Sequence, residues 1–415
     1  MAENQNTLTL RLAGGGYEDL YPWDLVLEEG FSRLYRGELT VLSEKKHGME
    51  ELSGLLDKGI SLAITQKLGD AKTTRTRYLH GIVTEARNSG VFSNGRAKDC
   101  YSYAFVIEPE LARLKYTSLT APYYRMNPPE IFAAILDKYG LQARLEQRYI
   151  SRAPYGRKLL FDQAETSDLN FLRYIAGLYG ISFVFRHPKT PGKALGVSDL
   201  YFSDGFSFPL SDVVYSDKRE EPRTVDFDFL SAEEDGNLWK MDDWTMTHAV
   251  GVDGFVLNTT YPQANYGSDQ WKWGRTGRGA RHCVGSRLFH GYEQQTPPAE
   301  IDGDLRLILE ARRRAAAAAK SRWTAAAANL ALRPGLILEL RHFYGMKDRE
   351  LITALVTRIT LRHRTRWPSF LAVSREGAGE ERAEVRGECV DWGSGAEKRF
   401  CPEQEQAFSG AFPED

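Results

Sequence analysis

Residues that could bind a metal are spread along the whole 415-residue chain, without the spacing that a metal site needs. None of the eight histidines forms an HExxH pair or another short metal motif. His282 and His290 come nearest to a ligand pair, although ordinary surface or core positions explain them better. The four cysteines, at positions 100, 283, 389 and 401, include no CxxC pair, so we expect neither a zinc site nor a disulfide scaffold. The sequence therefore predicts no metal and no cofactor.

Neighbouring carboxylates raise a second chemistry, the acid/base hydrolysis of glycosidic bonds. The pairs are Glu108 with Glu110, Glu233 with Glu234, and Asp242 with Asp243. Solvated protein faces show the same spacing, because about a quarter of the residues in an ordinary protein are charged. Four tryptophans could stack on sugar rings, but tryptophan also dominates buried packing and protein interfaces. They are Trp239, Trp244, Trp271 and Trp273. These residues motivate one alternative function, a component that binds or hydrolyses peptidoglycan.

A glycine-rich basic stretch follows two of these tryptophans. Its glycines, from Gly274 to Gly279, lack dinucleotide-binding spacing, and the chain has neither a Walker loop nor a GxSxG elbow. The residues that could grip nucleic acid or an acidic partner are Trp271, Trp273, Arg275, Arg278 and Arg281. An exposed interface loop is the plainer interpretation. The sequence therefore does not indicate an enzyme that transfers phosphoryl or acyl groups, and we expect no enzymatic activity.

The composition and the net charge further narrow the kinds of protein and of partner to be considered. Apolar residues make up 42% of the chain and charged residues 27%, which is typical of a folded globular protein. A formal net charge of -2 gives no overall reason to expect nucleic acid or an anionic membrane as partner. No apolar run reaches about 18 residues and the start of the chain lacks a secretory signal pattern, so we expect assembly in a bacterial cytoplasm and no membrane contact.

The first half of the chain predicts a small barrel and then an α/β insert. Residues 1–115 contain short alternating runs with turns between them, which favour an antiparallel β-barrel. In residues 116–200 the apolar residues no longer alternate as in strands and instead recur at the spacing of helices. Asn127 can cap a helix that starts with two prolines, and a second helix from about Ser167 can end at Gly180. An alternating strand follows immediately.

The second half predicts another barrel with additions. Residues 201–366 hold several β-prone runs, an elaborated aromatic loop and one long helix over residues 302–331, which Pro334 and Gly335 stop. Residues 367–415 are polar and rich in Gly and Glu, which is typical of a tail or a linker. The expected fold class is mixed β and α+β: two small β-barrels with an α/β insert and a long helix.

The most specific segment, Phe161 to Phe185, resembles the signature of the type VI secretion tip proteins (the VgrG family) and of the phage late-control tail hubs (late control protein D). The matching positions are Gln163, Glu165, Asp168, Leu169, Phe171, Leu172, Gly180, Ile181, Phe183 and Phe185. We expect Asp168 to cap or anchor its helix, and Phe171, Leu172, Ile181 and Phe183 to be core residues. Weaker matches occur in the family's order, including the Leu-x-Pro-Gly entry to a strand at Pro334 and Gly335.

The resemblance implies a structural role in a contractile injection machine. Three copies would place six barrels in a pseudo-sixfold ring that adapts a sixfold tube to a threefold spike. Nothing after residue 366 resembles the piercing module of longer relatives, which a separate spike protein or a truncation of a longer chain would explain. We take a separate spike protein as the expected partner. The other expected partners are the tail tube protein, further baseplate proteins and a tape-measure protein. The expected location is the tail baseplate of a virion or a secretion apparatus, and the sequence leaves the kind of machine open.

Overall fold

The structure is a computed structural model that describes residues 5–12, 17–68, 73–92, 100–141, 145–146, 155, 158–188, 197–203, 224–226, 241–259, 269–274, 281–288, 298–327, 332–335, 337–341, 352–365 and 382–391. These residues are mostly strands. In chain order the strands are β1 (Gln5–Leu12), β2 (Tyr21–Gly30), β3 (Arg36–Ser43), β4 (Gly59–Leu68), β5 (Thr73–Phe92), β6 (Cys100–Glu108), β7 (Ser118–Met126), β8 (Leu145–Glu146), β9 (Lys158–Ser167), β10 (Ser182–Arg186), β11 (Asp199–Ser203), β12 (Thr224–Asp226), β13 (Met241–His248), β14 (Gly254–Thr259), β15 (Asp269–Gly274), β16 (Cys283–Leu288), β17 (Ser321–Ala327), β18 (Ile337–Arg341), β19 (Ile352–Arg364) and β20 (Arg382–Asp391).

Four α-helices and one 3-10 helix lie between the described strands. The α-helices are α1 (Met49–Ser53), α2 (Pro128–Asp137), α3 (Asp168–Tyr179) and α4 (Pro298–Lys320), and the 3-10 helix is Glu110–Lys115. Within the described parts of the chain, no helix is long and apolar enough to cross a bilayer.

Twelve strands form one large sheet that includes both ends of the described chain. Its main path runs β1-β4-β5-β6-β3-β2-β19-β20-β17-β13, and β18 pairs both β19 and β12. Strands β2 and β19 pair antiparallel from Asp24 opposite Arg364 to Gly30 opposite Arg358. We call these seven residue pairs the seam, because they join the strands of the first 108 residues to those of the last part.

The sheet differs from the expected pair of closed barrels. Along the described residues the pairing follows an open path, and no closed barrel is found. The alternation of apolar residues identified the strands because it reports which face of each strand is buried. The same pattern carries no information on which strand edges pair, so the seam was not predictable from it.

The long helix was predicted over residues 302–331, and its end is wrong. Helix α4 ends at Lys320, and the Ala-rich residues after it form β17, paired with β13 and β20. Alanine has the highest helix propensity, but its advantage over other ordinary residues is at most about 0.7 kcal/mol per residue, so two neighbouring strands that offer backbone partners outweigh it. Residues 382–391, expected to lie in a tail, likewise form β20 between β19 and β17. The boundaries at residues 115, 200 and 366 stay predictions.

The insert begins with the helix that the sequence predicts. The Asn127 side chain accepts a hydrogen bond from the Glu130 backbone at 3.0 Å, and the Glu130 carboxylate accepts one from the Asn127 backbone at 2.9 Å. This reciprocal capping box satisfies two amides that a helix start otherwise leaves without partners. Helix α2 then packs near α3, and small sheets flank both helices: β7 pairs β9, and β11 lies between β10 and β8.

Two large apolar clusters form most of the core of the described residues. The first lies within the large sheet, and the second gathers side chains of α2, α3, α4 and β10. Phe171, Leu172, Ile181 and Phe183 are all buried in the second cluster, in agreement with the sequence prediction. The Phe171 ring stacks on Tyr123 with 5.2 Å between centroids, which ties α3 to β7.

We expect Phe171→Ala to lower the free energy of unfolding by about 3–5 kcal/mol, because it removes a buried aromatic ring and leaves a cavity. Chemical denaturation of the purified variant measures this loss. Tyr116→Ala is the control, since that ring is 75% exposed. Similar losses for the two variants would contradict the placement of Phe171 in the core.

His363 on β19 makes stability depend on pH. The side chain is buried, neither ring nitrogen has a hydrogen-bond partner among the described residues, and burial lowers its pKa to about 4 against the opposing effect of Asp24. Because the unfolded chain binds this proton from about pH 6.5, acidification to pH 4 should cost about 3 kcal/mol of stability. We expect His363→Leu to flatten this part of a stability-against-pH curve measured by denaturation. Parallel curves for wild type and variant would refute the assignment.

Candidate assembly site

The turn between β2 and β3 docks onto the insert. Ser32 adopts a left-handed backbone with φ 52°, and its amide donates a hydrogen bond of 2.8 Å to the Phe183 carbonyl. After this turn, the buried Tyr35 ring meets Phe185 edge-on at 5.2 Å and His187 at 4.8 Å. This hairpin tip is therefore one of the contacts that join the large sheet to the insert, and we call it the docking tip (residues 31–35).

A glycine makes room for the docking tip. The Tyr35 hydroxyl donates a short hydrogen bond to the His80 carbonyl and lies 3.4 Å from the Ser198 hydroxyl. A Cβ on Gly81 would stand 2.6 Å from the Glu108 carbonyl oxygen and 3.0 Å from the Tyr35 hydroxyl. Any larger residue at position 81 would push strands β5 and β6 apart or displace the tyrosine.

A buried ionic group joins three distant parts of the chain. Arg77 on β5 pairs with Glu29 on β2, and its second nitrogen donates a 2.9 Å hydrogen bond to the Leu332 carbonyl. His187, just after β10, places its Nε2 3.3 Å from the Glu29 carboxylate. Its Nδ1 accepts the His80 amide at 3.1 Å, so the proton of the neutral ring lies on Nε2 and faces Glu29.

The charges in this group remain in place at neutral pH. Burial raises the pKa of Glu29, but the positive charge of Arg77, supported by the neighbouring His187 and Arg333, outweighs it and holds that pKa at about 2. Burial lowers the pKa of His187, against the opposing pull of Glu29. The result is a Glu29–Arg77 ion pair beside a neutral histidine, which a buried position tolerates only when its polar atoms are bonded.

The predicted strand entry at Pro334 and Gly335 is next to this ionic group. Both residues are buried, and Gly335 has φ 95°, a conformation that side chains disfavour. Its amide donates to the Val356 carbonyl at 2.8 Å, which turns the chain from Leu332 toward β18. Arg77 therefore binds the turn from one side while β19 binds it from the other.

The predicted signature residues include a cluster of buried, hydrogen-bonded polar side chains at the start of α3. The Asp168 carboxylate, fully buried, accepts 2.8 Å hydrogen bonds from Gln163 Nε2 and from the Tyr139 hydroxyl. Lys138 Nζ lies 3.4 Å away and supplies the countercharge. Gln163 also donates to the Thr166 carbonyl at 2.9 Å, closing the turn before the helix. Asp168 thus anchors the helix from the side.

Ser167, not Asp168, caps α3. Its hydroxyl accepts the Asn170 amide at 3.2 Å, and Gly180 ends the helix with φ 66°. Of the remaining signature positions, Leu169 is buried, Phe185 is partly buried, and Glu165 is exposed with φ 45°. The signature therefore positions a helix and a strand, and it brings together no group of reactive side chains.

The predicted interface loop is only partly described. Trp271 and Trp273 belong to β15, opposite Leu257 and Phe255 of β14. Arg281 is exposed, while Arg275 and Arg278 lie outside the described residues. The start of this segment is therefore strand, and its role as an interface stays a prediction.

The residues suggested for hydrolysis do not assemble in the described part of the chain. Glu108 is buried, 2.5 Å from Lys115 Nζ and 3.1 Å from the Thr84 hydroxyl, which is a structural arrangement. Glu233, Glu234 and Trp239 lie outside the described residues. Among the residues that are described, no group of three His, Cys, Asp or Glu side chains could hold a metal ion.

We expect Glu29→Gln to destabilise the fold by about 3–5 kcal/mol, because it leaves the Arg77 charge buried without compensation. The double variant Glu29→Gln with Arg77→Met should lose less, since the stranded charge is then gone. Glu28→Gln is the matched control: Glu28 pairs with Arg358 at the exposed face, and such pairs contribute at most about 1 kcal/mol. Denaturation midpoints of wild type, these three variants and Arg77→Met alone decide it. A double variant whose loss equals the sum of the two single losses would contradict the coupling.

Comparison with known proteins shows which family and which relatives this chain is similar to. Residues 28–365 match the family described as phage tail baseplate hub (GPD). The spike protein VgrG4b of the type VI secretion system of Pseudomonas aeruginosa is 29% identical over 184 residues, which make up 44% of this chain and 21% of that protein. The matched region thus spans about a fifth of that relative's length.

Two solved structures share the fold. A type VI secretion component of E. coli, described as similar to bacteriophage T4 tail proteins gp27 and gp5, gives a TM-score of 0.55 at 14% identity and covers 95% of this chain and 80% of its own. A tail protein from Neisseria meningitidis MC58 gives 0.57 at 9% identity and covers 95% and 99%. The resemblance drawn from Phe161 to Phe185 is confirmed. Because the family match covers most of the chain, this protein belongs to the phage tail baseplate hub (GPD) family.

Proposed function

We propose that three copies of this chain form a ring that adapts a sixfold tail tube to a threefold spike. The observation that carries the proposal is the family match over residues 28–365, which includes the docking tip and three of the seven residue pairs of the seam. In such a ring each chain would present two surfaces to the tube, one from each end of the large sheet, so that three copies offer six.

The seam supports the proposal by making the two ends of the sheet one body. Seven residue pairs hold β2 against β19, and at the exposed face Arg358 pairs with Glu28 and Arg364 with Asp24. The Arg364 guanidinium also lies over the Trp23 ring at 4.9 Å. An adaptor needs this rigidity, because two surfaces that moved independently could not keep a fixed spacing on a tube.

The partners we propose are the tail tube protein, a separate spike protein and other baseplate proteins, with a tape-measure protein as a further candidate. The protein would be assembled in a bacterial cytoplasm and would then work in a tail baseplate or secretion apparatus. Its contribution is geometric, so we propose no turnover of a substrate.

We expect the full chain to elute as a species of three times 46.9 kDa in size-exclusion chromatography with light scattering at micromolar concentration. Negative-stain images of the same fraction should show rings. A strictly monomeric protein, both alone and after mixing with the spike protein from the same machine, would contradict the proposal. Clearing of a peptidoglycan gel that Asp243→Asn abolishes would instead support the hydrolase alternative.

A further inference from the structure

The residues that follow β10 are fastened to strand β5 through His80. The His80 amide donates a 3.1 Å hydrogen bond to Nδ1 of His187, and the His80 ring donates one of 2.8 Å from Nε2 to the Pro188 carbonyl. We call residues 187–188 the strap. The strap lies against the docking tip, because the centroids of the His187 and Tyr35 rings are 4.8 Å apart. Hydrogen bonds to a single residue of the large sheet therefore hold the strap at this contact.

The hydrogen bond between the His80 amide and the His187 ring requires that ring to be neutral. A backbone amide can only donate, so Nδ1 of His187 must offer its lone pair. The single proton of the ring is then on Nε2, which lies 3.3 Å from the Glu29 carboxylate. A protonated histidine carries a donor on both nitrogens. It would set two N–H groups against each other across 3.1 Å, so the strap could not keep this hydrogen bond.

The neighbouring His80 ring can take up a second proton without losing a hydrogen bond. Its Nδ1 lies 2.9 Å from the Ser61 hydroxyl, and a hydroxyl can either donate or accept. Its Nε2 already donates to the Pro188 carbonyl, a hydrogen bond that protonation leaves unchanged. The centroids of the two histidine rings are 5.9 Å apart. Of these two rings, only that of His187 loses a hydrogen bond when it is protonated.

The charged and titratable groups around His187 determine how readily the ring takes up a proton. These groups are Glu29 on β2, Arg77 and His80 on β5, Tyr35 in the docking tip, Arg333, which acts on Glu29, and Asp199 on β11, which acts on His80. Burial lowers the pKa of His187, Glu29 raises it, and His80 and Arg77 lower it further, so that the pKa lies below its ordinary value. The pKa of Glu29 is about 2, so that charge stays constant under mild acid. A histidine released into solvent binds a proton near pH 6.5, and acid therefore favours the open strap.

We propose that His187 is an acid-sensitive switch whose protonation releases the strap from strand β5. The closed strap needs the Nδ1 lone pair of His187 for the His80 amide, and the protonated ring has none to give. Release also ends the contact of His187 with the Tyr35 ring and with Glu29, which loosens the insert at the docking tip. Because the open strap binds one proton more, its population should rise by up to about tenfold for each pH unit below 6.5. The switch is independent of the proposed ring.

Hydrogen exchange of the full chain, followed by mass spectrometry between pH 7 and pH 5, tests the switch. The protection factor of a peptide is the exchange rate of an unstructured chain at the same pH divided by the measured rate. We expect the protection of the peptide that contains the His80 amide to fall by up to about tenfold per pH unit below 6.5. Helix α2 is the internal reference, and its protection should stay constant because the insert itself remains folded.

Two variants identify which histidine responds to acid. His187→Asn keeps a side-chain oxygen that can accept from the His80 amide but takes up no proton, so the protection of this amide should no longer depend on pH. His80→Gln is the matched control: it removes the other titrating ring and keeps a donor for the Pro188 carbonyl, so the pH dependence should remain.

The wild-type protein and His80→Gln decide the question even if His187→Asn does not fold. The proposal is overturned if the protection of the His80 peptide in wild type is the same at pH 7 and pH 5, or if His80→Gln abolishes the difference. It is equally overturned if folded His187→Asn keeps the pH dependence of wild type, or if helix α2 loses protection in parallel with the His80 peptide.

Discussion

The buried charge of Arg77 is the constraint around which the two ends of the chain are arranged. A guanidinium inside a protein must have a carboxylate beside it and acceptors for its remaining donors. Glu29 meets the first need from β2, and the Leu332 carbonyl meets part of the second from a segment 255 positions away. Strands β2 and β5 and the turn before β18 therefore have one relative position in which this charge is tolerated.

The docking tip depends on the same arrangement. His187 contacts Glu29 with one ring nitrogen and the His80 amide with the other, while its ring meets Tyr35. The insert is thus connected to the ionic group through a histidine that stays neutral, and to the apolar core through the Tyr35 and Phe185 rings. The polar and the apolar contacts favour the same orientation of the insert on the sheet. Such agreement among different interactions stabilises one fold over the alternatives.

The sequence predicted correctly those elements whose formation depends on residues close together in the chain. Helix α3 was readable because Ser167 and Gly180 mark its ends and its apolar residues recur at helical spacing. The burial of Phe171 in α3 and of Phe183 in β10 agrees with what the family signature led us to expect. The end of α4 and the strand β20 were missed, because pairing with strands far along the chain decides both. The Glu29–Arg77 pair was missed for the same reason: its members are 48 positions apart and no motif links them.

The seam has a mechanical consequence. Strand β19 is 13 residues long and lies between β20 on one side and β2 and β18 on the other. A pull directed along β19 would load the hydrogen bonds of the seam in shear, all at once, whereas a pull across it would open them one after another. A force applied along the strand direction would therefore meet far more resistance than an equal force applied across the seam.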